Sequence, residues 1–140
     1  MPERDLAREG EPSTHDCGER SDGFESILLV EDEPTVRCLF AHGLKRAGYR
    51  VYEAANGQEA LTVFDRHGAC IDLLLTDMRM PYMGGAELAE HLRARRRSLK
   101  LLCISGYAGN APAGLSADFL AKPFSRDVLL AKIREVLDRG

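Results

Sequence analysis

Five residues of this chain have side chains that could act together on a phosphorus centre: Glu31, Asp32, Asp77, Ser105 and Lys122. Each stands at or just past the end of a short apolar run. Glu31 and Asp32 follow ILLV (27–30), Asp77 follows IDLLLT (71–76), Ser105 ends KLLCIS (100–105), and Lys122 follows DFLA (118–121). Three carboxylates brought together repel one another unless a cation neutralises them. A Mg²⁺ ion and the Lys122 ammonium would bring the cluster to about zero charge, and hard oxygen ligands suit Mg²⁺ better than a soft metal. One carboxylate oxygen could then attack phosphorus, while the cation and Lys122 stabilise charge on the phosphoryl oxygens. The Ser105 hydroxyl would donate to the product. This is the chemistry of an acyl phosphate.

Such a set needs a scaffold that delivers several strand ends to one edge. The apolar runs at 27–30, 71–76 and 100–105 are continuous, as strands buried on both faces require, whereas Arg50–Ala54 alternates like a strand nearer a sheet edge. Helical periodicity separates them. Asp32-Glu33-Pro34 opens a helix whose apolar positions are Val36, Leu39, Phe40, Gly43, Leu44 and Ala47, and Gly48 stops it. Further helices are predicted over 58–67, 85–96 and 125–139, the last with Val128, Leu129, Leu130, Ile133, Val136 and Leu137 on its core face. Five strands alternating with helices predict a doubly wound α/β domain with a parallel sheet. In such sheets ligands bind beyond the carboxyl ends of the strands.

Composition narrows the classes further. The 140 residues carry a net charge of −3, but residues 1–25 hold eight acids against three Arg, leaving 26–140 at +2. Residues 1–25 therefore read as a disordered acidic tail before one domain at 26–140. No apolar run reaches membrane-spanning length, and the polar N-terminus is unlike a secretory signal. Cys17, Cys38, Cys70 and Cys103 form no CxxC, and the four His are scattered, so neither a zinc site nor a disulfide framework is expected and a reducing cytoplasm is the natural compartment. The basic run at 93–100 ends a predicted helix, where cations favour the macrodipole, and reads as a solvated helix end rather than a nucleic-acid site.

The strings ILLVEDEPTVR, LLLTDMRMPYMGGAEL, LLCISGYA and FLAKPF closely resemble the receiver domain of bacterial two-component response regulators, over roughly residues 26–140 and in the same order. The resemblance implies a CheY-like, flavodoxin-like sheet of order 2-1-3-4-5. It also implies that Asp77 is the phosphoacceptor and that Glu31 and Asp32 hold Mg²⁺ together with Asp77 and the backbone carbonyl of Arg79. Ser105 occupies the hydroxyl switch position, Phe119 the aromatic one, and Lys122 pairs with the phosphate, followed by a Lys-Pro bond expected to be cis. The implied donor is a phosphohistidine on a sensor histidine kinase or a histidine phosphotransfer protein. The receiver would catalyse its own phosphorylation and slow hydrolysis without being a turnover enzyme. Neither nucleic acid nor a membrane is an expected partner, a weak homodimer is allowed for, and 140 residues leave no room for an output domain.

The stretch between Ser105 and Lys122 departs from the family. GYAGNAPAGLSADFLA is short and broken by Gly106, Gly109, Pro112 and Gly114, so the fourth helix of a receiver is expected to be shortened or replaced by a loop. Two rival readings accompany the resemblance. One is a degenerate receiver that only binds proteins. The other is an Asp-nucleophile phosphohydrolase of the haloacid dehalogenase type, which wants a second Asp two residues after the nucleophile, where this chain has Arg79.

Overall fold

The computed structural model describes residues 25–80, 83–105, 118–122 and 124–138, with Ser105 described by its backbone alone. Five strands, β1 (Ser26–Val30), β2 (Arg50–Ala54), β3 (Leu73–Asp77), β4 (Lys100–Ser105) and β5 (Asp118–Ala121), form one sheet of order β2-β1-β3-β4-β5. All four pairings are parallel. Helices α1 (Pro34–Arg46), α2 (Gly57–His67), α3 (Gly85–Arg95) and α4 (Arg126–Asp138) complete the doubly wound α/β architecture. The predicted tail before residue 25, the expected loop in place of a helix at 106–117, and the Lys-Pro bond lie outside the described residues. Glu25 is tied to the body by Arg134, whose Nη2 donates to its carboxylate at 2.7 Å.

The continuous apolar runs follow from burial on both sides. Side chains alternate across a strand, so β1 and β3 feed two cores at once. Leu28, Val30 and Leu74 pack with Ala60, Phe64, Leu88 and Leu92 of α2 and α3. Ile27, Leu29, Leu73 and Leu75 pack with Leu44 of α1 and Leu129, Ile133 and Val136 of α4 on the other face. β2 lies at the sheet edge, half-buried, as its alternation indicates.

Helix ends are set locally. Asn56 caps α2 by accepting from the Glu59 amide at 2.8 Å, and the Glu59 carboxylate accepts in return from the Ala55 amide at 2.6 Å. Gly48, at φ 104°, takes the left-handed turn that ends α1. The arginines near the end of α3 are each engaged by an acceptor. Arg93 donates to Leu99 O at 2.8 Å, Arg95 pairs with Asp65 at 3.3 Å, and Arg96 donates to the carbonyls of Gly68 and Ile71.

Four details differ from expectation. Leu39 is 66% exposed and Val128 49% exposed: Leu39 lies on the side of α1 turned away from the buried Ala41 and Leu44, and Val128 lies one residue before the buried Leu129 on α4. A short 3-10 turn, Gly68–Cys70, precedes β3, which begins at Leu73 rather than Ile71. Cys38 is exposed rather than near the core. Cys70 is buried and disulfide-bonded, against the expectation of reduced thiols throughout.

The burial pattern of α4 sets a direct test. Ile133→Ala, at a fully buried position, should cost about 2–5 kcal/mol, while Val128→Ala on the same helix should cost less than about 0.5 kcal/mol. Urea denaturation of the two variants checks this difference.

Candidate functional site at the carboxyl edge of the sheet

The sheet register explains how distant residues meet. Val30 pairs with Thr76, Thr76 with Cys103, and Cys103 with Phe119. One row further toward the carboxyl edge, Glu31 follows β1 and Asp77 closes β3, in register with Ile104. Beyond that row come Asp32, Ser105 paired with Ala121, and then Lys122. Asp77 belongs to the strand and not to the loop, so its backbone is fixed by the ladder. Glu31 extends β1 by one bond, its amide donating to Ala54 O at 3.1 Å.

Glu31, Asp32 and Asp77 each offer an oxygen within 4.8 Å of the others. Glu31 and Asp77 are buried, at 3% and 7% exposure, and Asp32 is exposed. Asp77 is held at both oxygens: Oδ1 accepts from the Arg79 amide at 3.1 Å and Oδ2 from Lys122 Nζ at 3.4 Å. Glu31 Oε2 accepts from the Glu33 amide at 3.1 Å. Glu31 Oε1 is buried with no hydrogen-bond partner, which a buried carboxylate oxygen seldom tolerates. An orphaned oxygen inside a cluster of three carboxylates fits a hard divalent cation.

The structure thus brings together Glu31, Asp32, Asp77 and Lys122. Arg79 enters through its amide, while its carbonyl is assigned to the metal by resemblance alone. Phe119 is half-buried on β5, one row below Asp77, and Ser105 closes β4. Glu33 contributes its amide and not its carboxylate. A further residue, Arg37, donates from Nη1 to Glu31 O at 2.7 Å, a contact that the sequence signals only as an arginine one turn into the helix after the acidic pair.

Gly85 adds a steric condition. A Cβ there would lie 2.5 Å from Asp77 O, and the Gly85 amide donates to Met78 O at 3.1 Å, so only glycine lets α3 start against the backbone of the acidic strand end.

This arrangement, a doubly wound parallel sheet with an acidic cluster and a lysine at its switch-point edge, defines a class of phosphate-handling α/β domain. The family described as "Response regulator receiver domain" matches residues 27–134, and the chain belongs to that family. The chain is 38% identical over 122 residues to the sensor kinase CckA of Brucella abortus, which covers 84% of this chain and 13% of that protein. It is 35% identical over 120 residues to the sensory transduction protein RegX3 of Mycobacterium tuberculosis, covering 82% of this chain and 52% of that one. The chain therefore spans about half or less of these relatives. Among solved structures, the receiver domain from the hybrid histidine kinase CckA superposes with a TM-score of 0.71 at 35% identity, covering 81% of this chain and 99% of that one. The response regulator TrrA of Thermotoga maritima, in complex with Mg²⁺-BeF, gives 0.70 at 30% identity, covering 80% and 98%.

Electrostatics follow from the geometry. Burial pushes the Glu31 carboxyl up from its ordinary 4.5 to about 7; repulsion from Asp77 and a side-chain hydrogen bond with Asp32 add to this, while the Glu33 amide and Lys122 oppose it. The folded chain therefore holds a proton on Glu31 that the unfolded chain releases, so this group's contribution to stability is present below about pH 4.5 and lost as pH rises through about 7. Without divalent cations, Glu31→Gln should melt above the native protein at pH 8 and close to it at pH 4.5. Thermal melts in chelator at the two pH values check the sign; a variant that melts lower at pH 8 would contradict it.

Proposed function

We propose that this chain is a phosphoacceptor signalling receiver that takes a phosphoryl group from a phosphohistidine onto Asp77 in a Mg²⁺-dependent reaction. The observation that carries the reading is the convergence of Glu31, Asp32 and Asp77 within 4.8 Å beside Lys122. Glu31, Asp32 and Asp77, with the Arg79 carbonyl, would hold Mg²⁺. When bound, the ion supplies positive charge to the phosphoryl oxygens and offsets that of the carboxylates.

The chain's own groups do the rest. An Asp77 oxygen attacks phosphorus, the P–N bond breaks, and its electron pair leaves on the imidazole nitrogen of the donor. Lys122, already 3.4 Å from Asp77 Oδ2, carries its charge to the transferred group, and the Ser105 hydroxyl donates to it. Attack by water at the same phosphorus later returns Asp77 and inorganic phosphate. Each cycle returns the protein as a switch, so it is not a turnover enzyme.

The donor is a sensor histidine kinase or a histidine phosphotransfer protein, and the output passes through protein partners, with Ser105 and Phe119 as switch residues. Among the described residues no helix is long and apolar enough to cross a membrane, and Cys38 and Cys103 are free thiols, Cys103 with its pKa raised by burial to about 12.

Incubation with Mg²⁺ and labelled acetyl phosphate, or with a phosphorylated histidine kinase, tests the reading. The expected result is a label stable to acid, labile to base, absent in Asp77→Asn and formed about 100-fold more slowly in Lys122→Ala. No label from any donor would leave a receiver fold that only binds proteins.

A further inference from the structure

β1 ends at Val30, so the ladder does not by itself fix the direction of the Glu31 side chain. Three hydrogen bonds hold the residue, two at its backbone and one at its carboxylate. Glu31 N–H donates to Ala54 O at 3.1 Å, the Glu33 amide donates to Glu31 Oε2 at 3.1 Å, and Arg37 Nη1 donates to Glu31 O at 2.7 Å. The last is the shortest and crosses from α1 to the sheet edge. The Arg37 guanidinium is braced on its other side by Glu53 of β2, 3.7 Å from Nε, and Glu53 precedes the Ala54 that receives the Glu31 amide. Both ends of the Glu31 residue are thus secured to one corner, and its Oε1 is left buried without a partner inside the acidic cluster.

We infer that Arg37 is a positioning residue for the cation site: it holds the Glu31 peptide so that the unpartnered carboxylate oxygen is presented to a divalent ion. The inference rests on the proposed phosphoryl-accepting site. A buried carbonyl that loses its donor must find water or rotate, and rotation of the Glu31 peptide would swing the carboxylate with it. The alternative role for a guanidinium here is charge alone, and the two roles have opposite signs. As a nearby positive charge Arg37 would repel Mg²⁺, so its removal would tighten binding; as a positioning group its removal must weaken binding.

Calorimetric titration of the full chain with Mg²⁺, without any phosphodonor, separates them. Arg37→Met should raise the Mg²⁺ Kd by about 10-fold, the lower end of what removing a group behind a metal ligand costs. Arg37→Lys, which keeps the charge but not the fork that reaches both Glu31 O and Glu53, should fall between this variant and the native chain. Circular dichroism melts establish that each variant is folded. An unchanged or lower Kd in Arg37→Met overturns the inference while leaving the proposed function intact. If Arg37→Met does not fold, a native Kd in Arg37→Lys overturns it instead. A native chain that takes up no Mg²⁺ is a different failure, and it removes the proposed function itself.

Discussion

Mutual repulsion of three carboxylates is the constraint on which the rest of this molecule depends. At 4.8 Å or less, each pair of full charges costs at least about 3 kcal/mol at an effective dielectric of about 20. Three such pairs would roughly equal the entire stability of an ordinary domain. The protein meets this in two ways. Glu31, the most buried of the three, keeps its proton to about pH 7, and Lys122 with the Arg79 amide sits against Asp77. Neither remedy is complete while Glu31 Oε1 has no partner. A cluster of this kind fits a hard cation.

Holding like charges together requires a frame stiffer than the repulsion, and the parallel sheet supplies it. β1 and β3 are central strands with helices packed on both faces, and their side chains are among the least exposed in the molecule. Because successive rows of the register carry Glu31 and Asp77, then Asp32 and Ser105, then Lys122, small movements of one strand would disturb every pair at once. Gly85 extends the frame to α3 by letting its first turn touch the Asp77 carbonyl. The site is assembled by backbone pairing, and side-chain bonds trim it.

Much of this is legible in the residues alone. Continuous runs such as ILLV and KLLCIS announce strands buried on both faces, and the polar residue at the end of each run announces the site. What stays hidden depends on angle or on distant partners. Leu39 and Val128 fit helical periodicity as apolar residues, yet their angular positions on α1 and α4 leave each exposed. The arginines of 93–96 look like a charged helix end, but their donors are taken by Leu99 O, Asp65, Gly68 O and Ile71 O, acceptors that only folding brings near. The Arg37 bond to Glu31 O belongs to the same kind: a short step along the chain, but meaningful only once Glu53 has been delivered from the neighbouring strand.

Glu31 and Lys122 mark two different kinds of attachment within one site. Glu31 is pinned at its amide, its carbonyl and one carboxylate oxygen, so it can present a ligand but cannot travel. Lys122 is 40% exposed and makes one 3.4 Å contact with Asp77, an ion pair that solvent screens and that contributes little to stability. That weakness suits the proposed reaction. When an Asp77 oxygen becomes bonded to phosphorus, the negative charge moves outward onto the phosphoryl oxygens, and a lysine on a long flexible stem can follow it at small cost. A rigid acidic floor and a mobile cationic arm are therefore complementary. In the proposed reaction the first would fix where phosphorus sits, and the second would allow the same residues to serve the site before and after transfer.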